Sequence, residues 1–161
     1  WTKEGWLYLA IVLDLFNREV VGWSIQPSMT VDLVTDALRM AWFRRQPAPG
    51  LIHHSDRGSQ YVSTIYTERL AQAGIEPTVG SRGDSYDNAL AETINGLYKA
   101  ELIYRRAPWK TREAVELVTL EWVTWFNHHR LLGPIGYIPP AEAEANYYRQ
   151  LAQKTDAEVL T

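Results

Sequence analysis

Asp56 and Glu92 are the residues whose type and setting carry chemistry. Asp56 sits in the run His53-His54-Ser55-Asp56-Arg57-Gly58-Ser59-Gln60-Tyr61, Glu92 ends Asp87-Asn88-Ala89-Leu90-Ala91-Glu92, and 35 residues lie between the two acids. A carboxylate at the end of an apolar strand and another one turn into a later helix can converge on divalent cations that neither would hold well alone. Two acids about 4 Å apart repel by roughly 4 kcal/mol at an effective dielectric of about 20, and cations between them relieve that repulsion. Each acid also has an ordinary role. An aspartate ahead of a glycine caps turns, and a glutamate early in a helix offsets the macrodipole.

The elements that must position these acids are readable from apolar periodicity. Leu7 to Leu15 is an apolar run, Asn17-Arg18 a turn and Glu19 to Ile25 a second β-rich run, which predicts an antiparallel hairpin ended by Pro27. Thr30 is placed to cap a helix through about Arg44, with Leu33, Val34, Ala37, Leu38 and Ala41 on one face. Leu51 to Ser55 reads as a short buried strand delivering Asp56 at its C-terminal end. A helix over about Ser63 to Ala73 and a strand over Ile75 to Val79 follow, which favours a parallel pair with a right-handed crossover. The polar loop Gly80-Ser81-Arg82-Gly83-Asp84-Ser85 precedes a helix from about Asp87 to Ile103. Thr111 to Asn127 supplies a longer helix with Ala114, Leu117, Val118, Trp122 and Trp125 as its apolar stripe, and Pro139-Pro140 opens a terminal helix.

On the Glu92 helix, Asn95 and Lys99 stand at i+3 and i+7 and share its face, which makes that face polar. Asn88 is a cap or an orienting group near the acids. The period of two in a strand puts His54 on the face of Asp56 and His53 opposite, so His54 either orients the carboxylate or serves as a hydrogen-bonded core histidine. Adjacent histidines diverge on a strand and no HExxH spacing occurs, which argues against zinc at His53, His54, His128 and His129. Asp84 and Asp87 flank the polar loop, where turn and cap roles explain both.

At 161 residues and 46% hydrophobic the chain suits one compact domain. Seven Trp and nine Tyr imply core and interface packing before base stacking. The absence of cysteine excludes disulfides and thiolate zinc sites. No run of about 18 apolar residues and no charged segment before an apolar stretch is present, so the sequence gives no sign of membrane spanning or secretion, and a cytoplasmic protein is the expectation. The net charge of −3 requires that any phosphate contact come from local clusters such as Arg105, Arg106, Lys110 and Arg112, with the acids Glu142, Glu144, Asp156 and Glu158 gathered near the C-terminal end.

The two acidic motifs, together with Glu4-Gly5-Trp6-Leu7-Tyr8-Leu9-Ala10-Ile11-Val12-Leu13-Asp14-Leu15-Phe16, Val20-Val21-Gly22-Trp23, Phe126-Asn127-His128-His129-Arg130 and Gly136-Tyr137-Ile138-Pro139-Pro140-Ala141-Glu142, resemble the catalytic core of bacterial insertion-sequence transposases, whose cores are similar to retroviral integrases. The resemblance covers nearly all of the chain. It implies an α/β ribonuclease H-like fold, a mixed sheet flanked by helices, with a catalytic core over residues 1–145 and a C-terminal helix or tail over 146–161. It further implies a DNA transposase core of the type whose metal-binding set is two aspartates and a glutamate, cutting and joining DNA strands with two magnesium or manganese ions, Asp56 and Glu92 being two of the three metal-binding acids. The first acid of that family lies on a strand before the hairpin, which would fall a few residues upstream of Trp1, so the chain is expected to lack that strand and that acid. Asp14 then matches the second strand and is read as structural. Lys99, Asn95, Arg57, Arg82, Arg105 and Arg106 are the candidates for contact with DNA, a solvated surface side chain being the ordinary alternative for the lysine and the arginines. Transposon ends and target DNA, a separate N-terminal DNA-binding region and a homo-oligomer are the implied partners. A nuclease of the same fold without strand joining, or an inactive assembly module, are the alternatives.

Overall fold

The computed structural model describes residues 1–55, 60, 61, 63–79 and 85–159, with the side chains of 79 and 85–88 outside that description. β1 (Tyr8–Leu13) and β2 (Val20–Gln26) form the expected antiparallel hairpin, in register from Tyr8 opposite Gln26 to Val12 opposite Gly22, after which a bulge sets Leu13 opposite Val20. Its turn is closed from both ends. The Asp14 N–H donates to the Glu19 carbonyl at 2.9 Å, the Asp14 carboxylate accepts from the Phe16 N–H at 2.9 Å, and Arg18 takes a left-handed φ of 67°. Asp14 is therefore spent on the turn.

α1 (Val31–Arg45) buries the five residues its periodicity singles out, Leu33, Val34, Ala37, Leu38 and Ala41. It lies directly on β2 because Gly22 has no side chain: a Cβ there would overlap the Ala37 carbonyl and the backbone of Ala41. Thr30 holds the N-cap position with extended backbone, but its hydroxyl makes no capping bond, a departure from the expectation. β3 (Ile52–Ser55), α2 (Thr64–Gln72) and β4 (Glu76–Val79) make the strand–helix–strand unit, with β3 and β4 parallel and Ile52 opposite Glu76. Ser63 caps α2 by accepting the Tyr66 N–H at 3.2 Å.

α3 (Ser85–Tyr98) runs on into a π-helical turn over Lys99–Ile103. α4 (Arg112–His129) starts at Thr111, whose hydroxyl accepts the Ala114 N–H at 3.2 Å, and α5 (Pro140–Val159) closes the chain. The two faces of the hairpin feed two cores, as alternation along a strand requires. Leu9, Ile11 and Leu13 pack with Ile94, Tyr98, Trp122 and Phe126 on the side of α3 and α4. Tyr8, Ala10 and Val12 pack with α1, Tyr66 and Leu70 on the other.

Three readings need correction. The stripe of α4 is rotated: Val115, Thr119, Trp122, Val123, Phe126 and Asn127 are buried, whereas Leu117 is 61% and Trp125 43% exposed. Two polar residues won inner positions because each has a specific partner, Thr119 the Tyr98 hydroxyl at 2.7 Å and Asn127 the backbone of Val20. β3 is not buried, since Leu51 and Ile52 are about half exposed. The reason is topological. Among the described residues the strands form two separate two-stranded sheets, β1–β2 and β3–β4, rather than one mixed sheet. Between β1 and β3 lie two cavities of about 260 and 380 Å³, walled by Ile11 and Val12 on one side and His53 and His54 on the other.

Candidate functional site

Ser55 is the last residue of β3, and Asp56 lies outside the described residues, as do Arg57, Arg82 and Asp84 and the side chains of Asp87 and Asn88. Glu92, exposed on α3, lines the 260 Å³ cavity together with His54, Ser55 and Asn95. The end of β3 and the Glu92 side chain thus open onto one space, although 36 positions separate Glu92 from Asp56 in sequence. Among the described residues no hydrogen bond or ion pair engages the Glu92 carboxylate, and no lysine or arginine lines that cavity. A carboxyl oxygen donor facing a space that no described lysine or arginine lines suits a hard divalent ion. Among the described residues, however, no group of three or more His, Asp or Glu side chains converges on a point.

The two histidines go separate ways, as the strand period requires. The His53 Nε2 lies 2.6 Å from the Tyr66 hydroxyl of α2, and burial, followed by the neighbouring charge of His54, pushes its pKa from 6.5 down to about 4. Burial likewise pushes the Tyr66 hydroxyl upward, so this pair is neutral at physiological pH. His54 turns to β4, where its Nδ1 is hydrogen-bonded to the Thr78 hydroxyl. His53 is thus the more buried of the two, while both line the Glu92 cavity.

Asn95 lines the Glu92 cavity and also a second one of about 440 Å³ that continues to Lys99, which carries the polar face of α3 across both. Lys99, Arg105 and Arg106 are exposed, and Arg106 is 3.7 Å from Glu121. Two features escaped the sequence reading. Asn127 both donates to the Val20 carbonyl and accepts its N–H, each at 2.9 Å, so this residue of the closing motif fastens α4 to the bulged end of β2. Glu19, 3% exposed, is held by Asn17 at 3.1 Å, by Arg44 and by Arg45 at 2.6 Å, and Arg45 reaches on to Glu144 of α5. The only signal for that network was an acid placed where the hairpin enters β2.

Sequence profiles described as Integrase core domain match residues 1–85 and, in a second form, 73–140. The chain belongs to the integrase core domain family. It is 53% identical over 150 residues to the transposase for insertion sequence element IS629 of Shigella sonnei, covering 93% of this chain and 50% of that protein. Over 144 residues it is 40% identical to the transposase for insertion sequence element IS904 of Lactococcus lactis, covering 89% of this chain and 56% of that one. Against transposase InsF for insertion sequence IS3A of Escherichia coli the identity is 45% over 103 residues, 64% of this chain and 36% of that one. The chain spans about half the length of the first two of these relatives. In shape it is similar to a chain of the cryo-EM structure of the simian T-cell lymphotropic virus intasome in complex with PP2A regulatory subunit B56 gamma, with TM-score 0.67, 18% identity, and coverage of 88% of this chain and 49% of that one. An α/β integrase core domain, built of helices around small sheets, is what sequence and shape agree on.

Proposed function

We propose that this integrase core domain is the catalytic core of a DNA transposase, a phosphoryl-transfer enzyme that cuts and joins DNA strands with divalent ions held by Asp56 and Glu92. The observation that carries this reading is the Glu92 carboxylate, unengaged among the described residues, opening onto the cavity that Ser55, the neighbour of Asp56, also lines. Bound magnesium or manganese would supply a lowered pKa for an attacking water or 3′-hydroxyl and compensation of charge on the departing oxygen. The protein's own part is positional. Asp56 and Glu92 offer hard oxygen donors from two elements, while Asn95 and Lys99 extend the same helix face to receive the sugar–phosphate backbone. Arg57, Arg82, Arg105 and Arg106 are further cations for that backbone, within a protein of net charge −3 that must concentrate its positive side chains locally.

The same reading covers the gap in the sheet. A ribonuclease H-like arrangement with a strand between β1 and β3, bearing the third acid, is supported by the two facing edges and by relatives about twice as long as this chain. The active form would be a cytoplasmic homo-oligomer on transposon ends and target DNA, with a separate N-terminal region choosing the ends, residues 1–145 as the core and 146–161 as a C-terminal tail. No helix among the described residues is long and apolar enough to cross a membrane.

Glu92→Gln and Asp56→Asn are the test, in a protein extended upstream to include that strand. Each should abolish metal-dependent cleavage of a labelled DNA end and its joining to a target duplex, with the circular dichroism spectrum unchanged. Cleavage at the unsubstituted rate would remove the residue from the site. Cleavage without joining, in the parent protein, would turn the reading into a nuclease of the same fold.

A further inference from the structure

β3 and β4 are four residues each and, among the described residues, pair in parallel with one another alone. A two-stranded pair that short is marginal on its backbone bonds, and parallel bonds are slightly weaker than antiparallel ones. Side-chain ties reinforce it. The His53 Nε2, 2.6 Å from the Tyr66 hydroxyl, fastens β3 to α2. His54 stands directly opposite Thr78 in the register, and its Nδ1 is hydrogen-bonded to the Thr78 hydroxyl.

This second tie lies one residue from the end of both strands. Asp56 follows two positions after His54, and the chain beyond Thr78 runs on to α3 and Glu92. The bond therefore joins the strand that leads into one acid to the strand that leads to the other. His54 lines the 260 Å³ cavity with Ser55, Asn95 and Glu92, whereas Thr78 is not part of that wall and can influence the acids only through the imidazole. A divalent ion is held well only when its donors stand within about 0.5 Å of the required places. Partners that orient such donors from behind typically contribute about 10- to 100-fold in metal affinity.

We propose that His54 and Thr78 are a positioning pair for the divalent-ion site: the bond between them fixes the end of β3 against β4, and with it the placement of Asp56 relative to Glu92. The inference rests on the metal-dependent reading of the core and deepens it. Neither side chain touches an ion or DNA in this role. His54 acts through the backbone that continues to Asp56, and Thr78 acts through His54. The hydroxyl of Thr78 is what matters, not its bulk.

The experiment is manganese binding, followed by electron paramagnetic resonance without DNA, on the upstream-extended protein and its Thr78→Val, Thr78→Ser, His54→Asn and His54→Gln variants, with urea midpoints measured alongside. Thr78→Val keeps the shape and removes the hydroxyl, and should weaken manganese binding about tenfold. Thr78→Ser keeps a hydroxyl and should bind manganese as the parent does. Asparagine carries its amide near the place of Nδ1 and glutamine near that of Nε2, so His54→Asn should retain more affinity than His54→Gln. Unchanged affinity in Thr78→Val, where Glu92→Gln abolishes binding, would overturn the pair and leave the metal site standing. A weakening that Thr78→Ser shares, or that follows the urea midpoints across the four variants, would make the bond a tie of the fold alone and would also overturn the proposal. No manganese binding by the parent, or binding that Glu92→Gln leaves untouched, would remove the site and the pair together.

Discussion

At the scale of single residues, His53 shows how neighbouring side chains with the same chemistry part company. Its imidazole is turned toward α2 and bonded to Tyr66, and its pKa stands at about 4 where an exposed histidine has 6.5. Between those two values the unfolded chain binds a proton that the folded chain refuses. The stability from a neutral His53 is therefore complete above pH 6.5 and is lost as pH falls toward 4. The loss is on the order of 3 kcal/mol over that window, by the linkage between pKa shift and stability. In His53→Gln, whose amide can still meet the Tyr66 hydroxyl, urea midpoints at pH 7 and pH 5 should lie closer together than in the parent; an unchanged separation would place the acid sensitivity elsewhere. Strand period alone assigned the two histidines to opposite faces, because alternation is a property of the backbone. It left open which of them met a partner, because the Tyr66 hydroxyl and the Thr78 hydroxyl come from elements brought alongside β3 only by folding.

At the scale of elements, the junction between α4 and the hairpin depends on Asn127, which gives the Val20 backbone both a donor and an acceptor where the bulge interrupts the ladder. A buried N–H and C=O without partners each cost about 1 to 3 kcal/mol, so Asn127→Ala should destabilise the protein by about 2 to 6 kcal/mol in urea unfolding. A change below about 0.5 kcal/mol, the ordinary range for surface substitutions, would mean that water serves Val20 equally well. The same junction explains why the inner face of α4 was misjudged from periodicity. Leu117 and Trp125 are apolar yet exposed, and Thr119 and Asn127 are polar yet buried, because hydropathy counts the side chain and not the specific bond waiting for it. The inner face of α1 is legible in the sequence, though its cap is not: all of its inner residues are small or aliphatic, and Gly22 lets them lie against β2 without a competing polar contact. Gly22→Ala would force α1 away from the hairpin, and core overpacking of that kind costs about 1 to 3 kcal/mol. An unaltered unfolding midpoint in that variant would show that α1 has room to shift.

At the scale of the whole molecule, the two small sheets face each other across an interval that neither fills. Among the described residues β1 is bonded to β2 alone and β3 to β4 alone, so each has an outward edge of backbone N–H and C=O groups bordering a cavity. Such edges are costly when they are shielded from water and are templates for pairing when they are not. α1 spans the floor of that interval through Val34, Ala37 and Leu38, and Ala91 of α3 borders both cavities, so the surrounding helices already hold the geometry for a strand. In a protein extended upstream by about ten residues, a full strand's length, amide exchange along the outward edges of β1 and β3 should slow together by about tenfold or more. Apolar burial by the new strand should raise Tm as well, at about 2 to 4 °C for each kcal/mol gained in a chain of this size. The paired response is what distinguishes an inserted strand from general tightening. A strand that added to one edge alone would protect β1 or β3 but not both, and would leave Glu92 without a third acid beside it. Unchanged exchange at both edges would mean that the two sheets are closed by something other than backbone, and the ribonuclease H-like arrangement would have to be abandoned for this chain.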